Sequence, residues 1–359
     1  MNIVLINPWL TDWGGMERIG ADMANRMSAN GHAVAVFCHG SKGQEPAFRL
    51  DEKIHFGVLN LYDFSTRGRE KCRHSIEERS PDVIIIMYCD NLLLSLLLAL
   101  EKITVPVIIS EHAAPETIEN KYWNRSERLD CMRRADIVHL LTSDFRKSVP
   151  SEFQSKTEVI PNFTCSSFKS VDYSRKKKHK RIISVGRLQE SEKQYSLLIK
   201  AFSILCEEFD DWRIDVWGSG DDFDYYIDLI AQLKLQKHVN LHGFKDDIDD
   251  EYLNADIYVS SSKSEGFSLA MLEAMSHGLP LLGFSECFEN SELVVDGVNA
   301  VLIPEMTFEA LAHSMYTLMA SHELRKGLGT NALVASKRYR PDKVMAAWES
   351  LLNKVTSKE

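Results

Sequence analysis

A chain of 359 residues is too long for one ordinary hydrophobic core and fits two domains of about 170–180 residues each. Its 44% apolar and 26% charged residues are those of a globular protein, and a net charge of −10 argues against a general nucleic-acid binder. The longest apolar stretch, Asn91 to Leu100, is about half a membrane span, so no transmembrane helix is expected.

The chain begins Met1-Asn2-Ile3-Val4-Leu5-Ile6-Asn7, with no basic n-region and no small-residue cleavage site. It reads as a buried strand over Ile3–Asn7 and not as a signal peptide, which makes the cytoplasm the default. Asn7-Pro8 then leads through Trp9 to Asp12-Trp13-Gly14-Gly15-Met16-Glu17-Arg18. Two glycines at a strand-to-helix turn let the backbone approach a ligand; a plain turn is the alternative. The pattern is not G-x-G-x-x-G, so no nicotinamide or flavin site is expected. Trp9 and Trp13 can stack on a sugar face or simply pack.

Apolar positions at helical spacing predict a helix over Met16–Ala29, closed by Asn30-Gly31. Short β-rich runs follow at Ala33–Cys38, Val83–Met87, Val107–Ser110 and Ile137–Thr142, with Glu111-His112 just after the third. The second half repeats the rhythm. Strands are expected at Ile182–Val185, Arg213–Trp217, Val239–His242, Ile257–Ser260 and Leu281–Phe284, with helices near 193–208, 222–235 and 268–277. Continuous apolar strands alternating with helices predict an α/β chain of two doubly wound parallel sheets, with ligands at the carboxyl ends of the strands.

Ile160-Pro161-Asn162-Phe163 ends the first rhythm, and Arg175-Lys176-Lys177-Lys178-His179-Lys180 precedes the second. The expected division is a first domain over 1–168, a basic linker over 169–180, a second domain over 181–340 and a final helix within 341–359. The basic run reads as a solvated linker, with a lipid or nucleotide contact as the alternative. Residues 1–180 carry 25 Lys and Arg against 23 Asp and Glu, and the remainder 17 against 29. That asymmetry is either surface drift or a device that lets the near-neutral half approach an anionic lipid surface. The 7 cysteines are scattered and form no C-x-x-C pair, so reduced thiols are expected and no zinc pattern is present.

The most informative segment is Ser264-Glu265-Gly266-Phe267-Ser268-Leu269-Ala270-Met271-Leu272-Glu273-Ala274-Met275-Ser276, followed by Gly278-Leu279-Pro280. A strand running into a loop and then a helix places Glu265 just outside the helix and Glu273 more than a turn inside it. Amides from Ser268 onward would face a phosphate at the helix start. One pocket could then offer a carboxylate to a sugar hydroxyl, amides to a diphosphate and a second carboxylate to a ribose. Asp222-Phe223-Asp224 and Asp247-Ile248-Asp249 fit the D-x-D pattern of a diphosphate-bound metal, but each sits where Asp serves as a helix cap.

This string resembles the E-x7-E signature of retaining glycosyltransferases of GT-B architecture, specifically family four (glycosyl transferases group 1). The resemblance spans essentially the whole chain, strongest from 182 to 304 and weakest from 40 to 105. It implies two Rossmann-like domains facing a deep cleft, the first on the acceptor side and the second binding the nucleotide-sugar. The terminal helix would cross back onto the first domain. Carried over residue by residue, His112 and Glu265 become the catalytic positions. Gly15, Arg187, Lys193, Phe244, Ser268, Leu269 and Glu273 become donor-binding positions, with Trp13 and Gly14 on the acceptor side. Arg187 and Lys193 would offset the diphosphate charge as the glycosidic bond breaks. Two departures stand out: Gln194 replaces the glycine that usually follows the lysine, and residues 285–292 lack a Pro/Gly-rich turn.

The implied activity is retaining, metal-independent transfer of a hexose or N-acetylhexosamine from a nucleoside-diphosphate sugar, UDP favoured, to an acceptor hydroxyl. The implied setting is bacterial surface polysaccharide, lipopolysaccharide or lipid-linked glycan synthesis, with a glycan or lipid-linked acceptor, no cofactor, no nucleic acid and a peripheral contact with the inner face of the membrane. The rival readings are a sugar-nucleotide epimerase or phosphorylase of the same fold, and a non-catalytic sugar-nucleotide-binding module.

Overall fold

The computed structural model describes residues 1–357 except 42, 64, 89–91, 116–124, 176, 264 and 289–291. Asn91, Lys176, Ser264 and residues 289–291 of the 285–292 segment, named above, lie outside the described residues. The chain forms two compact units, Met1–Phe163 together with Pro341–Glu359, and Thr164–Arg340.

The first unit holds a seven-stranded sheet in the order β3-β2-β1-β4-β5-β6-β7. Its strands are β1 (Asn2–Ile6), β2 (Ala33–His39), β3 (His55–Leu59), β4 (Val83–Tyr88), β5 (Val107–Glu111), β6 (Ile137–Leu140) and β7 (Thr157–Val159). Every pairing is parallel. Ile84, Ile85 and Ile86 of β4 are each fully buried, which is why that strand reads as an unbroken apolar run: helices cover both its faces. The first crossover helix, Gly15–Ala29, follows extended Gly14 and ends where the Asn30 amide donates to Arg26 O and Gly31 turns to φ +91°.

The terminal helix Pro341–Thr356 packs within this unit. Trp348 is 2% exposed and its ring centroid lies 4.5 Å from that of His139. Glu349 pairs with His32 at 2.9 Å and accepts from Asn30 at 2.8 Å, and Lys354 reaches Glu158 at 2.6 Å.

The second unit holds a six-stranded, all-parallel sheet in the order β10-β9-β8-β11-β12-β13. These are β8 (Lys180–Val185), β9 (Trp212–Trp217), β10 (Val239–Leu241), β11 (Ile257–Ser260), β12 (Leu281–Phe284) and β13 (Ala300–Ile303). In each sheet the strand order reverses beside the first strand of the unit, between β1 and β4 and between β8 and β11. Ligands of open parallel sheets bind at such points.

Three strands were not anticipated. β3 carries Gly57 in its middle, where a Cβ would fall 2.6 Å from the Phe37 ring, and β7 has 3 residues, so neither shows an alternating run. β13 is a four-residue run at the sheet edge. The expected strand over Ile137–Thr142 stops at Leu140, because Thr142 Oγ1 accepts the Phe145 amide and starts a 3-10 turn. The expected helix over 193–208 is two helices, Glu190–Lys193 and Tyr195–Leu205, broken at Gln194 with φ 48° and ψ 42°. A left-handed conformation costs an ordinary L-residue about 1–2 kcal/mol.

The expected linker is not solvated throughout. Residues 164–180 belong to the second unit, where the Val171 amide donates to His277 O and the Tyr173 hydroxyl to Gly278 O. Lys177 Nζ donates to the Asn254 and Ala255 carbonyls and pairs with Asp256 at 3.1 Å. The charge of Lys177 serves packing, whereas Arg175 and Lys178 are exposed.

Replacing Trp348 with Ala should cost about 3–5 kcal/mol, the usual loss for a buried aromatic. Chemical denaturation reads it directly. An unchanged midpoint would mean that the terminal helix contributes no packing to the first unit.

Candidate active site

In the second unit the two central strands set the site. β8 and β11 are neighbours, with Ile182 opposite Ile257, so the loops that leave their carboxyl ends run side by side. Gly186 follows β8 and donates its amide to Trp217 O at 3.0 Å. A Cβ on Gly186 would lie 2.9 Å from the Tyr195 hydroxyl and 3.2 Å from Lys193 Cε; a Cβ on Gly218 would lie 1.9 Å from Gly186 O. Only glycines permit this backbone approach.

With its stem over Gly186, Lys193 reaches Glu265, and Nζ lies 2.5 Å from Oε1. The Ser262 hydroxyl donates to the same carboxylate oxygen at 2.8 Å. Ser261 Oγ donates to Lys193 O at 2.7 Å, and the Lys263 amide donates to Glu192 O at 2.8 Å, so the two loops are stitched together on both sides of the ion pair. Burial works against the Lys193 ammonium, but the Glu265 carboxylate outweighs it and the amine ends above its ordinary value. Arg187, one residue beyond Gly186, is exposed.

Glu265 stands three residues ahead of a helix cap. Ser268 caps the helix Leu269–Ser276, its hydroxyl accepting the Met271 amide at 3.4 Å. The Leu269 and Ala270 amides lie ahead of the first intrahelical bond, Leu272 N to Ser268 O. That end of the helix carries the positive end of its dipole. Glu273, a turn inside, is 6% exposed and accepts from the Tyr252 hydroxyl at 3.0 Å. At the far end Leu279 N donates to Ala274 O and Gly278 N to Met275 O, with Gly278 at φ +73°, the paired bonds of a Schellman motif.

At the ends of β9 and β10, Trp217 and His242 stack with centroids 4.2 Å apart and planes at 11°. His242 Nε2 is held 2.7 Å from Asp215 Oδ1, and Lys245 Nζ lies 5.3 Å from the Trp217 ring. Phe244 is 45% exposed just beyond. The D-x-D pairs serve as braces and not as the expected caps: Asp222 stands at the N-cap of the helix Phe223–Gln232 without a side-chain cap bond, and the N-cap of Asp249–Asn254 is Ile248. Asp222 accepts the Glu190 amide, Asp247 the Asp249 amide, and Asp249 the Ser167 amide while facing His277. Asp224 lies in the first turn of the helix Phe223–Gln232. Among the described residues no three His, Cys, Asp or Glu converge as a metal would require.

In the first unit, Gly14 and Gly15 open the first helix, and Trp13 lies 49% exposed with its ring edge on Phe48 at 5.0 Å. Trp9 packs edge-on against His39. Glu111 ends β5 and is 3% exposed; Arg128 clamps it with two hydrogen bonds of 2.9 and 2.8 Å. His112 comes next, its Nε2 2.8 Å from Ser110 Oγ. Burial and then the neighbouring His139 push the His112 imidazole down to about 3, so it is neutral at physiological pH.

Residues 167–334 match the glycosyl transferases group 1 family, and residues 13–165 match the glycosyltransferase family 4 domain. The chain belongs to the group 1 glycosyltransferases. An uncharacterized glycosyltransferase of Haemophilus influenzae is 25% identical over 344 residues, covering 94% of this chain and 96% of the relative. Two solved structures share the fold. Anabaena HepE, solved with UDP and glucose, superposes with a TM-score of 0.78 at 19% identity over 100% of both chains. A lipopolysaccharide outer core galactosyltransferase, WaaB, superposes with a TM-score of 0.71 at 16% identity over 99% of both. The architecture of this glycosyltransferase is therefore GT-B, with one parallel α/β sheet in each domain.

Lys193 and Glu265, expected in separate roles, form one ion pair. Sequence spacing held no sign of it, because they are 72 residues apart and meet only through the β8–β11 pairing. Ser262, Arg128, Ser110 and His139 were missed as well; each is an ordinary polar residue until the fold places its partner.

In a double-mutant cycle, Lys193→Ala and Glu265→Gln should be non-additive in unfolding free energy by about 0.5–3 kcal/mol. Additive losses would mean that the pair is not formed in solution.

Proposed function

We propose that this glycosyltransferase moves a hexose or N-acetylhexosamine from UDP to an acceptor hydroxyl with retention of the anomeric configuration. The observation that carries the reading is the meeting of Lys193, Glu265 and the capped start of the helix Leu269–Ser276 beside Gly186. A cation, a carboxylate and free-facing amides suit a sugar diphosphate. HepE, solved with UDP and glucose, supports the choice of UDP, and WaaB supports surface-glycan synthesis as the setting.

In this reading Arg187, Lys193 and the Leu269 and Ala270 amides take the diphosphate. Glu265 takes a hydroxyl of the transferred sugar, Glu273 the ribose, and Phe244 lies at the base. Gly15 joins the donor-binding positions, Gly14 and Trp13 approach the incoming acceptor, and His112 meets the transferred sugar. The bond from the anomeric carbon to the β-phosphate oxygen breaks, and the diphosphate oxygen takes the acceptor proton. The acceptor oxygen then bonds the same face of the sugar. Cationic and amide groups aimed at the leaving diphosphate stabilise the charge that develops there. No metal is needed for that neutralisation, since Arg187 and Lys193 supply it, and no cofactor enters. The first domain binds the acceptor and the second the nucleotide-sugar. An anionic membrane face remains the proposed place of contact for a lipid-linked acceptor.

Two outcomes test this. Arg187→Ala should weaken UDP binding by about 1.5–3 kcal/mol, the worth of a charged hydrogen bond, and leave uridine binding unchanged; equal losses for both would remove Arg187 from the diphosphate. Proton NMR of the product should show an α-linked sugar from an α-linked UDP donor, formed equally well in EDTA. A β-linked product would overturn retention, and loss of activity restored by Mn²⁺ would return the Asp pairs as metal ligands.

A further inference from the structure

The first unit contains a chain of hydrogen bonds whose directions are fixed by its inner end. His139 is 1% exposed, and its Nε2 lies 2.8 Å from Ile160 O. A carbonyl oxygen can only accept, so His139 Nε2 carries a proton. Burial pushes that imidazole down to about 4, only partly countered by the Ile160 carbonyl and Glu158, so the ring is neutral and its Nδ1 is a bare lone pair. Ser110 Oγ, on a side chain 1% exposed, sits 2.6 Å from that Nδ1 and must donate to it. Having spent its proton, the Ser110 oxygen can only accept from His112 Nε2, 2.8 Å away. His112 Nε2 is thereby protonated, and His112 Nδ1 is left bare. That Nδ1 is buried and has no hydrogen-bond partner among the described residues.

A buried acceptor with no partner carries a desolvation cost that a ligand donor would remove. We infer that Ser110 and His139 are positioning residues that hold His112 as the Nε2–H tautomer, so that its Nδ1 accepts a hydrogen bond from a hydroxyl of the bound sugar. This rests on the transfer reading above and adds the direction of the bond: His112 accepts from substrate and donates nothing to it. The indole of Trp348, 4.5 Å from the His139 ring, holds the inner end in place, so the terminal helix supports the relay. The ring stays uncharged beside an anomeric carbon that becomes positive, and it offers that region a lone pair.

The test uses the full chain labelled with ¹⁵N-histidine, with His112→Gln to assign the His112 signals. Two-bond ¹⁵N–¹H correlations at neutral pH distinguish the tautomers directly. The expected spectrum shows His112 protonated at Nε2 and bare at Nδ1. Ser110→Ala should release His112 to a mixture of tautomers and lower kcat at least about tenfold with a smaller change in donor KM; Ser110→Thr should restore both. A wild-type ring protonated at Nδ1, or a tautomer unchanged in Ser110→Ala, would overturn the inference. If Ser110→Ala does not fold, the wild-type and Ser110→Thr spectra still decide. A chain with the expected tautomer but no transferase activity would sink the transfer reading and keep the relay.

Discussion

A parallel strand cannot turn straight back to pair with itself; it must cross over and re-enter from the same end. Every strand of both sheets obeys that constraint, so each sheet gathers all its strand-to-helix loops along one edge. The consequences are local and large. Gly186, Gly218 and Gly243 meet because β8, β9 and β10 are adjacent and end together: the Gly186 amide bonds Trp217 O and the Gly218 amide bonds Gly243 O. Glu265 faces Lys193 because β11 lies on the other side of β8. Topology assembles the candidate donor site before any side chain is chosen.

The same edge is where the chain concentrates buried charge. Glu111 at the end of β5 pairs with Arg128 of the helix Arg125–Arg134, Glu265 after β11 with Lys193 of the helix Glu190–Lys193, and Asp215 of β9 with His242 just after β10. Such pairs add little net stability, because desolvation offsets most of the attraction, whereas removal of one partner alone costs about 3–5 kcal/mol. Their value here is geometric. Arg128 fixes the end of β5 and therefore the backbone from which His112 departs. Glu265 keeps the Lys193 ammonium in place without a ligand. Gln194 shows the same priority for geometry. It takes a left-handed conformation that suits glycine better, and so ends the short helix with Lys193 directed back over Gly186.

Strands buried on both faces were legible because nothing polar interrupts them: Ile3–Ile6, Val83–Met87 and Ile257–Ser260 declare themselves by composition. Strand-to-helix motifs were legible too, since Gly14-Gly15 and Ser268 mark turns by type of residue. What the sequence concealed was of two kinds. Short edge strands such as β3 and β7 take their stability from a neighbour's ladder and need no pattern of their own. Polar partners far apart in the chain, such as Ser110 with His139 or Lys193 with Glu265, leave no spacing to read. The basic run after residue 174 misled for a related reason. Lys177 looks as solvated as exposed Lys178 until Asp256 and two backbone carbonyls are placed beside it.

In the proposed reaction each unit contributes electrostatics of its own. Around Lys193 the second unit supplies fixed positive charge and amide dipoles, which favour the state in which a diphosphate has gained charge. Around His112 the first unit does the reverse. Burial removes the imidazolium, and under the proposed relay the Ser110–His139 chain turns a lone pair toward the sugar carbon that would itself become positive. A protonated His112 would oppose that carbon; a tautomer with Nδ1–H would aim a donor at it. In that proposal an ordinary buried serine and a buried second histidine act on the chemistry through His112, although neither touches the substrate.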